Sequence, residues 1–259
     1  MLKRSFVTFL LVSIAVFLSG CGGGSTSSSN SSSTYPTITG NWSLVAVSQV
    51  VSQTTQIGGY ITNTNGSVSG TIHMVNSGCF TLAQDIPISG TITFSGSVSA
   101  TSTAVSGQVI TVSGTMSEST LSAGSYSITG GCAGGDKGTL TGFMTPSYSN
   151  TYTGSFHSVS GITTGETFAM AQNGPDSDGF YHLSGTATFT NSPCFTSGTI
   201  SSSVVVGSYV AVAVTTNNSG TVAFAGNITD SSGKTITGEY EITSGACQGD
   251  SGTGSVSHQ

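Results

Sequence analysis

The feature that most constrains this chain is a pair of cysteines that occurs twice. Cys79 opens a Cys79-Phe80 pair, and Cys132 follows 53 residues later within Gly131-Cys132-Ala133-Gly134-Gly135-Asp136-Lys137-Gly138-Thr139. The arrangement returns at Cys194-Phe195 and at Ala246-Cys247-Gln248-Gly249-Asp250-Ser251-Gly252-Thr253, displaced by 115 residues for both cysteines. One spacing repeated at one offset marks an internal duplication. The chain therefore reads as two copies of one unit.

Residues 1–20 have the grammar of an export signal and stand outside the fold. Lys3 and Arg4 supply the positive start, and Phe6 to Leu18 is an apolar run of 13 residues. That is short of the roughly 20 needed to span a bilayer as a helix. The run ends in Leu18-Ser19-Gly20-Cys21, which resembles the lipobox of bacterial lipoproteins. By that resemblance the chain is cut before Cys21 and the Cys21 thiol is acylated, as by palmitate. Two or three acyl chains anchor a protein stably where one is marginal. Residues 21–36 then read as the lipidated cysteine and a flexible Gly/Ser linker. Gly22 stands where Asp would retain a lipoprotein at the inner membrane. The resemblance thus implies an outer-membrane lipoprotein facing the periplasm or the cell surface, with the membrane as partner through its lipid.

Export places the other four cysteines in an oxidising compartment, where paired cysteines are expected as disulfides. Four cysteines allow three connectivities. The duplication favours Cys79–Cys132 and Cys194–Cys247, because each copy once had to fold alone. A zinc site would draw on short local spacings such as C-x2-C, which neither copy has. No metal and no cofactor are expected.

Charge narrows the partners. Ten acidic residues face four cations, for a formal charge of −6, and without Lys3 and Arg4 only Lys137 and Lys234 remain. A nucleic-acid binder needs a basic footprint, which this chain does not make. A protein or small-molecule partner is left unidentified by composition.

Apolar residues recur at period two in both copies, as strands require. Val68, Gly70, Ile72 and Met74 share one face, as do Ile88, Gly90, Ile92 and Phe94, and again Ile110, Val112, Gly114 and Met116. The second copy offers Leu183-Gly185-Ala187-Phe189, Val210-Val212-Val214 and Val222-Phe224-Gly226-Ile228. Turn signals such as Asn65-Gly66 and Ser232-Gly233 separate about eight candidate strands per copy. The expected fold class is all-β: two tandem antiparallel meanders, residues 37–146 and 150–259, each closed into a small barrel. The openings Gly40-Asn41-Trp42 and Gly154-Ser155-Phe156 and the later Ser-Gly-Thr strands resemble the eight-stranded avidin and lipocalin barrels. A rolled β-sandwich is the alternative. A transmembrane barrel would turn its apolar face outward, and alternation alone does not say which face is outside.

One motif looks like chemistry. Cys247-Gln248-Gly249-Asp250-Ser251-Gly252 resembles the nucleophile segment of trypsin-like serine proteases, in which Ser251 would attack and Gly249 would donate to the oxyanion. Thr253 replaces the final glycine, no Ala-Ala-His-Cys segment supplies a base, and the duplicate carries Lys137 where Ser251 stands. A triad is three groups in named roles, and one is present. Asp136 and Asp250 read instead as turn residues accepting local backbone bonds. His73 and His182 fall on polar strand faces, and His157 lies opposite Phe156; all three read as exposed. Asp176-Ser177-Asp178-Gly179 lacks the run of oxygen ligands of a calcium loop and reads as a hairpin turn.

No catalytic residue is therefore expected. The leading expectation is a lipid-anchored, non-enzymatic protein with a structural, adhesive or interaction role. The alternative is a small-ligand-binding barrel. The interior decides between them: inward Gly and Ala would leave a pocket, whereas Phe94, Phe189 and Phe224 would fill it.

Overall fold

The alternation is realised as sixteen strands, seen in a computed structural model that describes residues 34–132, 135–228 and 231–259. The signal segment and Cys21 lie outside the described residues. In the first copy β1 (Gly40–Ser48), β2 (Thr54–Thr64), β3 (Ser67–Val75), β4 (Ile86–Ile92), β5 (Ser97–Ser102), β6 (Val109–Met116), β7 (Thr120–Thr129) and β8 (Lys137–Met144) pair antiparallel in series. β8 returns to β1, with Met144 opposite Trp42 and Gly138 opposite Ser48, and closes a barrel. The second copy repeats this with β9 (Thr151–Ser158), β10 (Thr163–Gln172), β11 (Leu183–Thr190), β12 (Ser197–Val206), β13 (Tyr209–Thr216), β14 (Thr221–Ile228), β15 (Thr235–Ser244) and β16 (Ser251–Ser257). β16 pairs with β9 to close it. The expected all-β pair of eight-stranded barrels is what forms, and the sandwich is not.

Each barrel has its own apolar core, around Trp42, Ile57 and Leu140 in the first and Tyr152, Phe168 and Phe224 in the second. The opposite residues of the same strands, such as Ser97, Ser99 and Thr101 on β5, face solvent. Apolar inside and hydroxyl outside is the inverse of a transmembrane barrel. Closure also removes the open edges that would otherwise invite strand addition. Phe94 departs from the expected scheme. It lies past the end of β4, is half exposed and stacks on Tyr35 with ring centroids 4.1 Å apart, so it fills no interior.

The register corrects one alignment between the copies. Gly40-Asn41-Trp42 was matched above to Gly154-Ser155-Phe156. Across the closing ladders, however, Trp42 pairs with Met144 as Ser48 pairs with Gly138, whereas in the second copy it is Ser158 that pairs with Gly252. Gly138 and Gly252 hold the same place behind the repeated Asp, so Ser158 is the counterpart of Ser48. Counting back from it makes Tyr152 the counterpart of Trp42 and Phe156 that of Ala46.

The barrels are joined through a polar seam. Asn41 donates from Nδ2 to the Gly207 carbonyl (3.0 Å) and accepts the Gly207 N–H at Oδ1 (2.8 Å), so one amide satisfies both backbone groups of a hairpin tip. Ser43 and Ser208 meet at 3.0 Å, and the buried Tyr148 hydroxyl reaches the Gly207 and Ser208 carbonyls at 3.3 Å. The approach is close enough to demand glycine at Gly58, where a Cβ would stand 2.6 Å from the Val206 carbonyl carbon. His73 is corrected here too: it is fully buried, not exposed. The 173–182 loop of the second copy covers it, with Phe180 stacked on the ring at 3.9 Å and the Asp178 carbonyl 2.8 Å from Nε2. A buried polar side chain needs such partners, because leaving it without them costs about 1–3 kcal/mol.

Candidate functional site

Both predicted disulfides form. Cys79 bonds Cys132 with Cα atoms 5.4 Å apart, and Cys194 bonds Cys247 with Cα atoms 5.9 Å apart. Each ties the loop after a copy's third strand to the turn before its last. The repeated Asp beyond that turn then performs a second closure. Asp136 Oδ1 accepts the Ser48 hydroxyl (2.6 Å) and Oδ2 accepts the Tyr126 hydroxyl (3.0 Å). Asp250 accepts Ser158 and Tyr240 in the same way, the latter at 2.9 Å. The carboxylates therefore bind side-chain hydroxyls of the first and seventh strands rather than local backbone. Burial and the bond to the carboxylate push Tyr126 and Tyr240 up to about 12. These hydroxyls stay protonated and keep donating. The lock is structural and identical in both barrels.

Above this lock the interiors diverge. In the first barrel Leu44 lies opposite Gly142 and Ala46 opposite Leu140. At the matching rungs of the second, Gly154 lies opposite Val256 and Phe156 opposite Gly254. Large and small have changed strands, which keeps volume roughly constant and is the kind of exchange cores tolerate best. Gly254 is obligatory there, since a Cβ would fall 2.5 Å from the Phe156 ring. The other change is not conservative. Ile57, opposite Leu44, has Glu166 as its counterpart, opposite Gly154.

A cavity of about 250 Å3 lies at the disulfide end of the second barrel. Phe156, Phe189, Phe195 and Tyr240 wall it, Thr164 and Asp250 contribute polar groups, and the Cys194–Cys247 bond lies at its rim. Phe156 stacks on Tyr240 (4.6 Å between centroids) and on Phe224 (5.3 Å), making a column of three rings. Phe189 meets Phe195 edge-on at 4.7 Å. Of the phenylalanines expected to fill the barrels, Phe189 lines this cavity, whereas Phe224 is buried in the core. The first barrel keeps an enclosed gap of only about 30 Å3, lined almost wholly by aliphatic side chains. A larger depression, about 710 Å3, lies outside the second barrel along β12 to β16, with Ala211, Ala213, Ala223 and Ala225 beside Glu239 and Glu241. It is an open trough that leaves one side of any occupant in water, whereas small-molecule sites enclose most of their ligand.

Glu166 is a buried carboxylate that the sequence reading missed. It follows Thr164 by one rung on the inner face and is 2% exposed. The Thr164 hydroxyl donates to Oε1, and Oε2 has no hydrogen-bond partner among the described residues. Burial raises its pKa from 4.5 to about 7, against the opposing bonds from the Thr164 hydroxyl and the Phe156 N–H. No cation is among the groups acting on it. The signal was present: Glu166, Phe168 and Met170 alternate with Thr167 and Ala169, which puts a carboxylate on an apolar strand face.

The remaining sequence candidates are dispersed. Ser251 lies in β16, paired with Glu241. His157 is exposed and bonded to Ser155 and Thr163. His182 bonds Asp176 Oδ2 at 2.8 Å and the Ser203 carbonyl at 2.7 Å, and those two bonds raise its pKa. The predicted turn at Asp176–Gly179 is present, with Asp176 Oδ1 accepting the N–H groups of Asp178 and Phe180. Among the described residues no three His, Cys, Asp or Glu side chains gather as metal ligands would.

No protein-family model matches the chain, and no curated protein matches it. A crystal structure of a protein of unknown function from the DUF3598 family of Nostoc punctiforme PCC 73102 is similar over 85% of this chain and 96% of its own, at 10% identity and a TM-score of 0.27. The fold assignment therefore rests on the strand pairing of this chain. By that pairing it is a tandem of two closed eight-stranded antiparallel barrels.

Proposed function

We propose that this is an exported, lipid-anchored binding protein whose second barrel holds a compact small molecule, with the first barrel as a filled support. The observation that carries the reading is the cavity of about 250 Å3 walled by Phe156, Phe189, Phe195 and Tyr240. Packed interiors contain few voids larger than a water molecule. The cavity at the disulfide end of the second barrel is well above that size. Its size corresponds to roughly eight water volumes and falls below the roughly 300–1,000 Å3 of drug-sized sites. The occupant is correspondingly small. The alternative raised from the sequence, a ligand-binding barrel, is thereby preferred over a purely structural or adhesive role. Binding without turnover is favoured because the Ser158 and Tyr240 hydroxyls are engaged by Asp250.

Amide NMR of residues 34–259 titrated with benzyl alcohol tests the cavity. Shifts should cluster at Phe156, Thr164, Phe195 and Ile242 and vanish in Ile162→Trp, which plugs the rim. No response at millimolar probe would refute the reading. The anchor has its own test. Full-length protein expressed in bacteria should take up labelled palmitate and partition with membranes, and Cys21→Ala should do neither.

A further inference from the structure

We infer that the cavity of the second barrel selects a molecule that donates a hydrogen bond, such as a phenol or alcohol on a compact apolar body, and rejects one that only accepts. This rests on the cavity reading and adds the chemical class. Which hydroxyl hydrogens are already committed decides it. Ser160, Thr164, Tyr240 and Asp250 all line the cavity. An ionised carboxylate only accepts, and a hydroxyl has one hydrogen to give. Tyr240 gives its hydrogen to Asp250 Oδ2 (2.9 Å), and Ser158 gives its own to Oδ1. The Ser158 oxygen can then meet Ser160 Oγ, 2.7 Å away, only as an acceptor, so Ser160 is the donor of that pair. Thr164 donates to Glu166 Oε1. Each of the three lining hydroxyls thus directs its hydrogen to a protein oxygen and has only lone pairs left to offer. Among the described residues nothing donates to the Ser160 or Thr164 oxygen.

Two lining side chains keep hydrogens to give. The Ser192 oxygen accepts the N–H groups of Cys194 and Phe195, at 3.3 and 3.4 Å, which leaves its own hydrogen, and the Gln248 amide is exposed. Both flank the cysteines of the rim. Asp250 is the charged member of the lining, and it too accepts. An ether, ester or carboxylate would therefore face oxygens that have no hydrogen to share. A polar site rejects a near-isostere in this way, because the site's own groups are left unpaired. A donor gives those oxygens a partner while its apolar body meets Phe156, Phe189 and Phe195.

The test is calorimetry on residues 34–259, which contain both complete barrels, with two isomers as probes. One is 4-methylphenol, a donor, and the other is anisole, which only accepts. At pH 8 Glu166 is mostly ionised, since burial raises it to about 7, so Thr164 keeps its direction. The phenol should bind about tenfold tighter than anisole, the worth of one net hydrogen bond. Thr164→Val keeps the side chain's shape and removes its oxygen. It should reduce the preference to about a third while leaving anisole binding nearly unchanged. Ser160→Ala provides a second variant should valine disturb the strand, and it should reduce the preference as well. Equal affinity for the two probes in the wild type, or tighter binding of anisole, would overturn the donor class and leave the cavity reading standing. A preference undiminished in both variants would overturn the assignment to these hydroxyls. If neither probe binds, the cavity reading falls too.

Discussion

The two barrels share a lock and differ in what the lock encloses. Ser48, Tyr126 and Asp136 in one, and Ser158, Tyr240 and Asp250 in the other, make the same three-way contact beside the same disulfide. Those parts join strands distant in sequence, so closure depends on them and duplication has left them alone. Between the strands, Leu44 and Ile57 of the first barrel give way to Gly154 and Glu166 in the second. Val256 opposite Gly154 restores much of the leucine volume, and a carboxylate takes the place of the isoleucine. A scaffold held by its rim thus tolerates change in its middle.

Breaking the rim should give the largest effect and separate the copies. Replacing Cys79 and Cys132 by serine should destabilise the protein by about 4 kcal/mol on the chain-entropy account of a 53-residue loop. The matching pair, Cys194 and Cys247, should cost a similar amount and also abolish probe binding, because that bond forms part of the cavity rim. Denaturant melts beside calorimetry distinguish the two outcomes. Equal loss of binding from both double variants would mean that the barrels are not divided into support and site.

A smaller effect, confined to the second barrel, comes from pH. Glu166 ionises near 7 when folded and near 4.5 when not, so the folded state holds its proton more tightly. Stability from this group is therefore greatest below pH 4.5, falls as pH rises toward 7, and is flat above. The fall amounts to roughly 3 kcal/mol at most for a shift of that size. Glu166→Ile should flatten this part of the pH profile and raise the melting temperature at pH 8, while Ile57→Val in the first barrel should leave the slope unchanged. An unaltered slope in Glu166→Ile would mean that the carboxyl is not buried in solution.

Much of this was legible from order along the chain. Period-two alternation in Val68 to Met74 and in Val210 to Val214 set the inward faces, and the duplicated cysteine spacing set the bridges, because both signals are local or periodic. Asn65-Gly66 marked its hairpin for the same reason. The candidate site was less legible. A carboxylate on the inner face of β10 could be read from alternation, but not that Gly154 lies across from it. Which residues share a rung depends on how the first and last strands meet, and that register is fixed by closure, not by neighbours in sequence. The same limit hid His73, which alternation puts on a polar strand face and which is fully buried with the 173–182 loop of the other copy packed over it. Sequence determined two barrels, their disulfides and their inward faces. Closure and docking decided which polar groups were taken out of water.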